Sequence, residues 1–216
     1  MKKKLVGIYK TLYSHFGPQD WWPGDTPFEV CVGAILTQNT AWQNVEKAIA
    51  NLKREKLLAP HRINELTGQS LARLIKPSGY FNIKAKRLKN FISFLCKRYD
   101  GKVDKMFSNS SDHLRGHLLD INGIGPETAD SILLYAGNIP IFVVDAYTKR
   151  IFHKLKFTPE DISYHDMQQL FMKNLPLNAM LFNEYHALIV MLGKNYCKKR
   201  PLCESCPLKM CNYRDK

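Results

Sequence analysis

Four cysteines lie close together near the C-terminus of the 216-residue chain. Cys197, Cys203, Cys206 and Cys211 have the spacing C-x5-C-x2-C-x4-C. Structural zinc usually needs two close cysteine pairs, and only one such pair is present here. A single C-x2-C pair with a more distant cysteine on each side is typical of a compact loop around a 4Fe–4S cluster. The spacing therefore favours an iron–sulfur loop, with zinc or an empty loop as the alternatives.

A second group of residues has the chemistry of a phosphate-binding turn. The segment from Leu118 to Ala129 predicts helix, tight turn and helix, with Gly123 and Gly125 in the turn and Pro126 at the first helical position. Such a turn presents backbone N–H groups at a helix N-terminus, and these groups bind phosphate without any side chain. A plain helix–helix corner uses the same residues, so the turn alone is compatible with both interpretations.

A carboxylate follows this turn along the chain. Asp145 lies 18 residues beyond Glu127, at the end of the apolar segment Ile141–Val144 and at the start of a predicted helix. An aspartate in that position commonly caps the N-terminus of a helix. A carboxylate next to a buried segment can also stabilise positive charge in a reaction.

The order of hairpin, apolar segment and Asp145 resembles the helix-hairpin-helix base-excision DNA glycosylases of the endonuclease III superfamily. Pro27–Glu29 and Leu36–Thr40 are similar to that family's early helix and base-flipping loop. The resemblance covers nearly the whole chain, and it implies a catalytic role for Asp145 on double-stranded DNA that carries a damaged base. It further implies contact with the DNA for Gln38, Asn39, Gly123, Ile124, Gly125, Thr128 and Lys149.

Glu127 is a departure from endonuclease III itself. In that enzyme a lysine at this position forms a Schiff base with the sugar and cuts the strand, which a carboxylate cannot do. The resemblance therefore implies a monofunctional glycosylase that uses water as the nucleophile. Glu127 is then a second catalytic residue near the base or the water, or simply an acid favoured by the helix dipole. Lys149 is an alternative amine, so we expect AP lyase activity to be absent or weak.

The tryptophans of the chain all lie in its first quarter. The hairpin sequence Gly-Ile-Gly-Pro-Glu-Thr-Ala-Asp, together with Trp21-Trp22-Pro23, is most similar to the 3-methyladenine glycosylase branch of the superfamily. That likeness implies a base pocket formed by Trp21, Trp22, Pro23 and Trp42. A Trp face attracts a cationic alkylated purine by roughly 0.5–2 kcal/mol. The alternatives are core packing for each tryptophan, a uracil, thymine or oxidised-base substrate, and a DNA-binding module without catalysis.

Helical periodicity dominates the elements that must position these residues. Ile139–Val144 is the only candidate strand, and it is equally compatible with a buried connector. We expect an all-α protein of about nine or ten helices in two domains that flank a DNA-binding cleft. One domain covers 27–137 with the hairpin at about 118–130, and the other joins 1–26 to 138–216 and holds the cysteine loop 197–211. Apolar residues at helical spacing predict helices over 28–52, 61–75, 84–99, 126–136, 145–155, 163–174 and 178–192.

The charge of the chain is consistent with a polyanionic partner. The net charge is +13, and basic residues concentrate in 84–105 and in the tail that begins at Lys194. A solvated basic surface is the alternative. The uncharged stretch Ser131–Val144 is too short to span a membrane. No secretory signal pattern follows Met1. We therefore expect a monomeric cytoplasmic protein with no membrane partner.

Overall fold

The computed structural model of the chain describes residues 1–22, 24–108, 111–209 and 211. Within those residues it contains helices and extended connections but no strand, which confirms the prediction of an all-α fold. The chain divides into two compact units. The terminal unit comprises Met1–Trp22 and Asn138–Lys216, and the inserted unit is Pro23–Gly137.

The helices have the following bounds in chain order: α1 (Lys2–Phe16), α2 (Pro27–Leu36), α3 (Trp42–Arg54), α4 (Pro60–Glu65), α5 (Gly68–Leu74), α6 (Phe81–Tyr99), α7 (Val103–Phe107), α8 (Ser111–Leu119), α9 (Pro126–Ser131), α10 (Ala146–Lys154), α11 (Tyr164–Met172) and α12 (Ala179–Asn195). A 3-10 turn over Lys76–Ser78 follows α5, and a π-helical segment over Ile132–Ala136 follows α9. No helix in the described part of the chain is long and apolar enough to cross a membrane.

The terminal unit is held together by contacts between the two ends of the chain. Apolar residues of α1 pack against α12, and the Tyr185 hydroxyl donates to the Leu5 carbonyl at 2.9 Å. The Phe142 ring stacks on Phe171 with 3.7 Å between centroids. Gln168 donates its side-chain amide to the Phe142 carbonyl at 2.7 Å. The segment 139–144 is thus a buried connector and not a strand, because its backbone pairs with side chains and with no neighbouring strand among the described residues.

The inserted unit is built around α2, whose residues from Phe28 to Leu36 are all buried. This helix packs against α3, α6, α9 and the π-helical segment. Lys53 of α3 forms ion pairs with Asp25 at 2.7 Å and with Glu29 at 2.8 Å. These contacts place 24–26 with the inserted unit, whereas the boundary drawn from the sequence assigns them to the other domain.

The helical run predicted over 28–52 is interrupted at residues 37–41, which we call the 37–41 loop. Helix α2 ends at Leu36, and the Thr37 hydroxyl donates back to the Gly33 carbonyl at 2.7 Å. Asn39 then takes a left-handed backbone conformation with φ of 54°. The prediction of a single run was wrong because apolar spacing continues across the break and carries no signal for it.

The basic stretch 84–105 is partly structural, because two of its lysines bind backbone carbonyls within the protein. Lys84 is 1% exposed, and its ammonium donates to the Leu36 carbonyl at 2.8 Å and to the Ser78 carbonyl at 2.6 Å. Burial, with a smaller effect of nearby Arg87, lowers the pKa of Lys84 to about 8. Lys89 donates to carbonyls at the end of α4, including that of Asn64 at 2.7 Å. Both lysines therefore bind backbone carbonyls within the inserted unit, and Lys84 is buried away from the surface.

Candidate functional site

The hairpin between α8 and α9 has the geometry of a phosphate-binding turn. Gly123 adopts φ of 98°, a conformation that favours glycine. Gly125 is extended, with φ of −92°, so its role does not depend on a positive φ. A side chain at Gly125 would meet nothing within 4 Å, which means that its backbone is openly accessible. Among the described residues, no acceptor receives the N–H of Gly123 or Gly125.

The hairpin is anchored from within the inserted unit. Ile121 and Ile124 are buried, and the Ile124 N–H donates to the Ile121 carbonyl at 3.0 Å, so Ile124 supports the turn from inside. Arg115 of α8 forms two hydrogen bonds with Asp130 of α9, at 2.7 and 3.1 Å. The Asp130 carboxylate is fully buried. Because a buried carboxylate needs its partner, this pair fixes the two helices of the hairpin relative to each other.

Gln38 contacts the hairpin with its side chain instead of projecting from the 37–41 loop. Its amide nitrogen donates to the Gly123 carbonyl at 3.1 Å and to the Thr128 hydroxyl at 2.9 Å. Its amide oxygen accepts a hydrogen bond from Arg87. Asn39, in contrast, is exposed at the turn of the loop. Of the two residues that the sequence suggests for insertion into DNA, Gln38 is thus hydrogen-bonded, whereas the Asn39 side chain has no hydrogen-bonded partner among the described residues.

Glu127 lies in the first turn of α9 and is exposed. Its backbone carbonyl accepts a hydrogen bond from the Ser131 hydroxyl at 2.7 Å. A carboxylate at this position also interacts favourably with the helix dipole. The position thus carries a solvent-facing acid beside the glycines of the turn and supplies no amine.

Asp145 is both a helix cap and a largely buried carboxylate in the terminal unit. Its Oδ1 accepts from the Thr148 N–H at 2.7 Å and from the Thr148 hydroxyl at 2.8 Å. Its side chain is 12% exposed, and its Oδ2 lies 3.7 Å from Nε2 of His186. Burial lowers the pKa of His186, although the Asp145 charge opposes the shift. Burial thus disfavours the charged imidazolium beside Asp145.

His186 is a site residue that the sequence analysis missed. It lies on α12, 41 positions beyond Asp145, within an apolar helical pattern. Nothing in its local sequence distinguishes it from a core histidine. Only the packing of α10 against α12 brings the two side chains together.

Lys149, the alternative amine, is engaged within the terminal unit. It lies one turn after Asp145 on α10, and its ammonium donates to the Ile162 carbonyl at 2.8 Å. This contact uses one of the three donors of the Lys149 ammonium.

The tryptophans do not all belong to one unit. Trp21 and Trp22 lie in the terminal unit with their rings edge to face, 6.2 Å apart, and Trp42 begins α3 in the inserted unit. Pro23 lies outside the described residues. The ammonium of Lys194 is 5.6 Å from the centroid of the Trp21 ring. Trp21 thus already interacts with a cation of the protein itself.

The four C-terminal cysteines line one small, mostly apolar cavity, together with Tyr196, Leu202 and other residues. Burial raises the pKa of the Cys197 thiol, and the neighbouring Lys154 and Arg150 act in the opposite direction. Four thiols around one cavity suit either an iron–sulfur cluster or zinc. Across the described part of the chain, no three His, Cys, Asp or Glu side chains are close enough to form a metal-binding group. The four thiols thus match an iron–sulfur cluster or zinc in donor type, although they are not close enough together to form a metal-binding group.

The fold and the hairpin define an all-α protein of the helix-hairpin-helix class, and comparison with known proteins identifies its family. The family model described as "HhH-GPD superfamily base excision DNA repair protein" matches residues 32–177. The chain therefore belongs to the HhH-GPD superfamily of base excision DNA repair proteins, which confirms the resemblance to the endonuclease III glycosylases.

Three similar proteins illustrate the range of the superfamily. A Methanocaldococcus jannaschii protein, named for an inferred DNA repair glycosylase activity, is 50% identical over 95% of this chain and 94% of its own length. Endonuclease III of Thermotoga maritima is 30% identical over 85% of this chain and 81% of its own length. The crystal structure of the H. pylori 3-methyladenine DNA glycosylase, bound to 1,N6-ethenoadenine, has a TM-score of 0.77 at 31% sequence identity. The match covers 88% of this chain and 97% of that one. The sequence identities to the two relatives, 30% and 31%, therefore do not assign the chain to the endonuclease III branch or to the 3-methyladenine branch.

Proposed function

We propose that this protein is a monofunctional DNA glycosylase that hydrolyses the N-glycosidic bond of an alkylated purine such as 3-methyladenine. The observation that carries the proposal is that the carboxylate of Glu127 occupies the place of the lyase lysine of endonuclease III. The ammonium of Lys149, the alternative amine, is hydrogen-bonded to the Ile162 carbonyl. A carboxylate cannot form a Schiff base, which favours water as the nucleophile.

In this proposal the hairpin holds the DNA backbone beside the damaged nucleotide. The N–H groups of Gly123 and Gly125 bind phosphate oxygens, and the open backbone at Gly125 admits the strand. Asn39 fills the gap that the extruded base leaves in the duplex. Contacts of this kind offset the few kcal/mol that unstacking and unpairing a base cost.

Asp145 supplies the charge that the reaction needs. Cleavage of the glycosidic bond develops positive charge on the sugar, and a preorganised carboxylate stabilises that charge. Oδ1 is held by the cap of α10, so Oδ2 is the oxygen available to the sugar or to the attacking water. Burial lowers the pKa of the neighbouring His186, which disfavours an imidazolium beside this carboxylate. Glu127 helps to position the base or the water.

The choice of an alkylated purine is supported by leaving-group chemistry and by one relative. An alkylated purine is positively charged and leaves readily, so the site needs no strong general acid. Its charge also favours the face of a tryptophan, and Trp21 already attracts the ammonium of Lys194. The H. pylori enzyme, at 31% identity, is named for 3-methyladenine.

We further propose that Cys197, Cys203, Cys206 and Cys211 hold a 4Fe–4S cluster. A cluster bound there supplies cross-linking and order, not a reaction step. It would stabilise the basic loop that contains Lys198, Lys199 and Arg200. The outer gaps are each one residue shorter than the C-x6-C-x2-C-x5-C pattern of endonuclease III relatives, so zinc is the alternative occupant.

The test is a side-by-side assay of methylated, deaminated and oxidised duplexes. We expect release of free 3-methyladenine, abasic sites that are cut only after alkali, and little borohydride-trapped protein–DNA adduct. Glu127→Lys should increase trapping if that side chain faces the sugar. Strand cutting without alkali would contradict the monofunctional assignment, whereas excision of uracil, thymine or oxidised bases alone would overturn the substrate. No release from any duplex would favour a binding module.

A further inference from the structure

The strongest unexplained arrangement in the inserted unit is a set of hydrogen bonds centred on Gln38. It links four parts of the chain: the 37–41 loop, the hairpin turn, the first turn of α9 and helix α6. We call its members, Arg87, Gln38, Gly123 and Thr128, the Gln38 network. The amide orientation is consistent throughout, because the oxygen accepts from a guanidinium while the nitrogen donates to a carbonyl and a hydroxyl.

Arg87 contacts this network in two ways. Its guanidinium holds the amide oxygen of Gln38, which directs the amide nitrogen at the hairpin. Its aliphatic stem packs on Gly123, because a Cβ added to that glycine would lie only 2.2 Å from the Arg87 Cγ. Gly123 is thus restricted both by its positive φ and by the side chain that covers it. One residue of α6 therefore fixes the backbone on which phosphate binding depends.

We infer that Arg87 and Gln38 are positioning residues that hold the 37–41 loop and the hairpin turn in one arrangement. Backbone binding by the hairpin and insertion of Asn39 then occur as one event. In the DNA-free structure the Gln38 side chain forms three hydrogen bonds within the inserted unit. The inference rests on the part of the proposed function in which the hairpin binds the DNA backbone.

This assignment separates Arg87 from the other basic residues of the chain. A basic residue that contacts a phosphate reduces the slope of log affinity against log salt by about 0.9 when it is removed. A residue that acts only on the turn leaves that slope unchanged and loosens the turn instead. Misplacement of reacting groups by about 1 Å can cost 100-fold in rate.

The experiment compares Arg87→Met with Lys86→Met, a matched control. Lys86 is exposed on the same helix, so the control removes the same charge and leaves the Gln38 network intact. For Arg87→Met we expect single-turnover base release to fall tenfold or more, with an unchanged salt slope for undamaged duplex. Amide hydrogen exchange in residues 120–125 should become faster. Lys86→Met should change neither base release nor exchange.

Two uncharged variants keep the test valid if Arg87→Met folds poorly. Thr128→Val removes one acceptor of Gln38 and should reproduce the faster exchange and the slower base release, whereas Thr128→Ser, which keeps the hydroxyl, should restore both. The double variant Gln38→Leu, Arg87→Met should release base no more slowly than either single variant, because both changes disrupt the same network. A reduced salt slope for Arg87→Met, or wild-type exchange in both Arg87→Met and Thr128→Val, would overturn the inference. DNA binding and amide hydrogen exchange can be measured even if no damaged base is released. Failure of the proposed function can therefore be distinguished from failure of this inference.

Discussion

Asp145→Asn is the substitution that best separates structure from catalysis in this chain. Asparagine retains an oxygen that can accept from the N–H and hydroxyl of Thr148, and asparagine and aspartate are about equally good N-caps. The α10 cap should therefore survive, with a change in unfolding free energy below about 1 kcal/mol. The substitution removes only the negative charge from a site that is 12% exposed.

The expected loss of rate follows from that burial. Removing one preorganised electrostatic contact from an active site typically costs about 2.7–4 kcal/mol, or about 100- to 1,000-fold in rate. We expect Asp145→Asn to lose that factor in single-turnover base release while it binds undamaged duplex normally. Asp145→Ala should lose the same factor and additionally about 1 kcal/mol of stability, because it also removes the cap.

The assay uses methylated duplex with enzyme in excess, so that product release does not limit the rate. Asp161→Asn is the matched control, since Asp161 is an exposed aspartate in the same unit. Near-wild-type base release by Asp145→Asn would refute the reasoning. Loss of DNA binding together with base release would show that the variant had disturbed the structure.

The remaining predictions concern the cysteine loop, a buried lysine and a tryptophan face. The purified protein should be brown with iron in excess of zinc, and Cys203→Ser should remove the colour whereas Cys96→Ser should not; a colourless anaerobic sample with stoichiometric zinc would assign zinc instead. Because burial lowers the pKa of Lys84 to about 8 from 10.5, the unfolded chain binds more protons between those values, and stability due to this group rises with pH. From pH 7 to pH 10, denaturant titrations should show the wild type gaining roughly 2 kcal/mol relative to Lys84→Met; parallel curves would contradict a charged, buried Lys84. Lys194→Met should raise the preference for methylated over undamaged duplex about two- to fivefold if the Trp21 face binds the cationic base, since it removes a competing cation; an unchanged ratio of the two affinities would exclude Trp21 from that role.

The sequence revealed those features whose signal is local. Gly123, Gly125 and Pro126 identify the hairpin because turn geometry depends on the residues in the turn itself. The sequence predicts Asp145 as a helix N-cap, because it stands at the start of a helical pattern, and its catalytic role is what the family resemblance implies. The family model and the relatives confirm the superfamily that these residues indicate.

The features that the sequence analysis missed depend on contacts between distant residues. Gln38 and Gly123 are 85 positions apart, and Gln38 and Arg87 are 49 apart, so no window of the sequence contains both partners. The same holds for His186 beside Asp145. For Lys84 the sequence predicts too much exposure. Its charge suggests a position on the surface, but its ammonium is buried and donates to two backbone carbonyls. Composition counts charges, but it does not tell which of them face solvent.

The connection between the two ends of the chain determines the order in which the protein can fold during synthesis. The hydrogen bond between the Tyr185 hydroxyl and the Leu5 carbonyl cannot form until Tyr185 has been synthesised, 180 residues after Leu5. The inserted unit, with its hairpin, is complete long before that contact can form. Domains fold as units as they emerge, so a half-made chain presents the hairpin while its Asp145 unit is still open. In a partly synthesised chain the hairpin can therefore form before the Asp145 side chain packs beside His186 of α12.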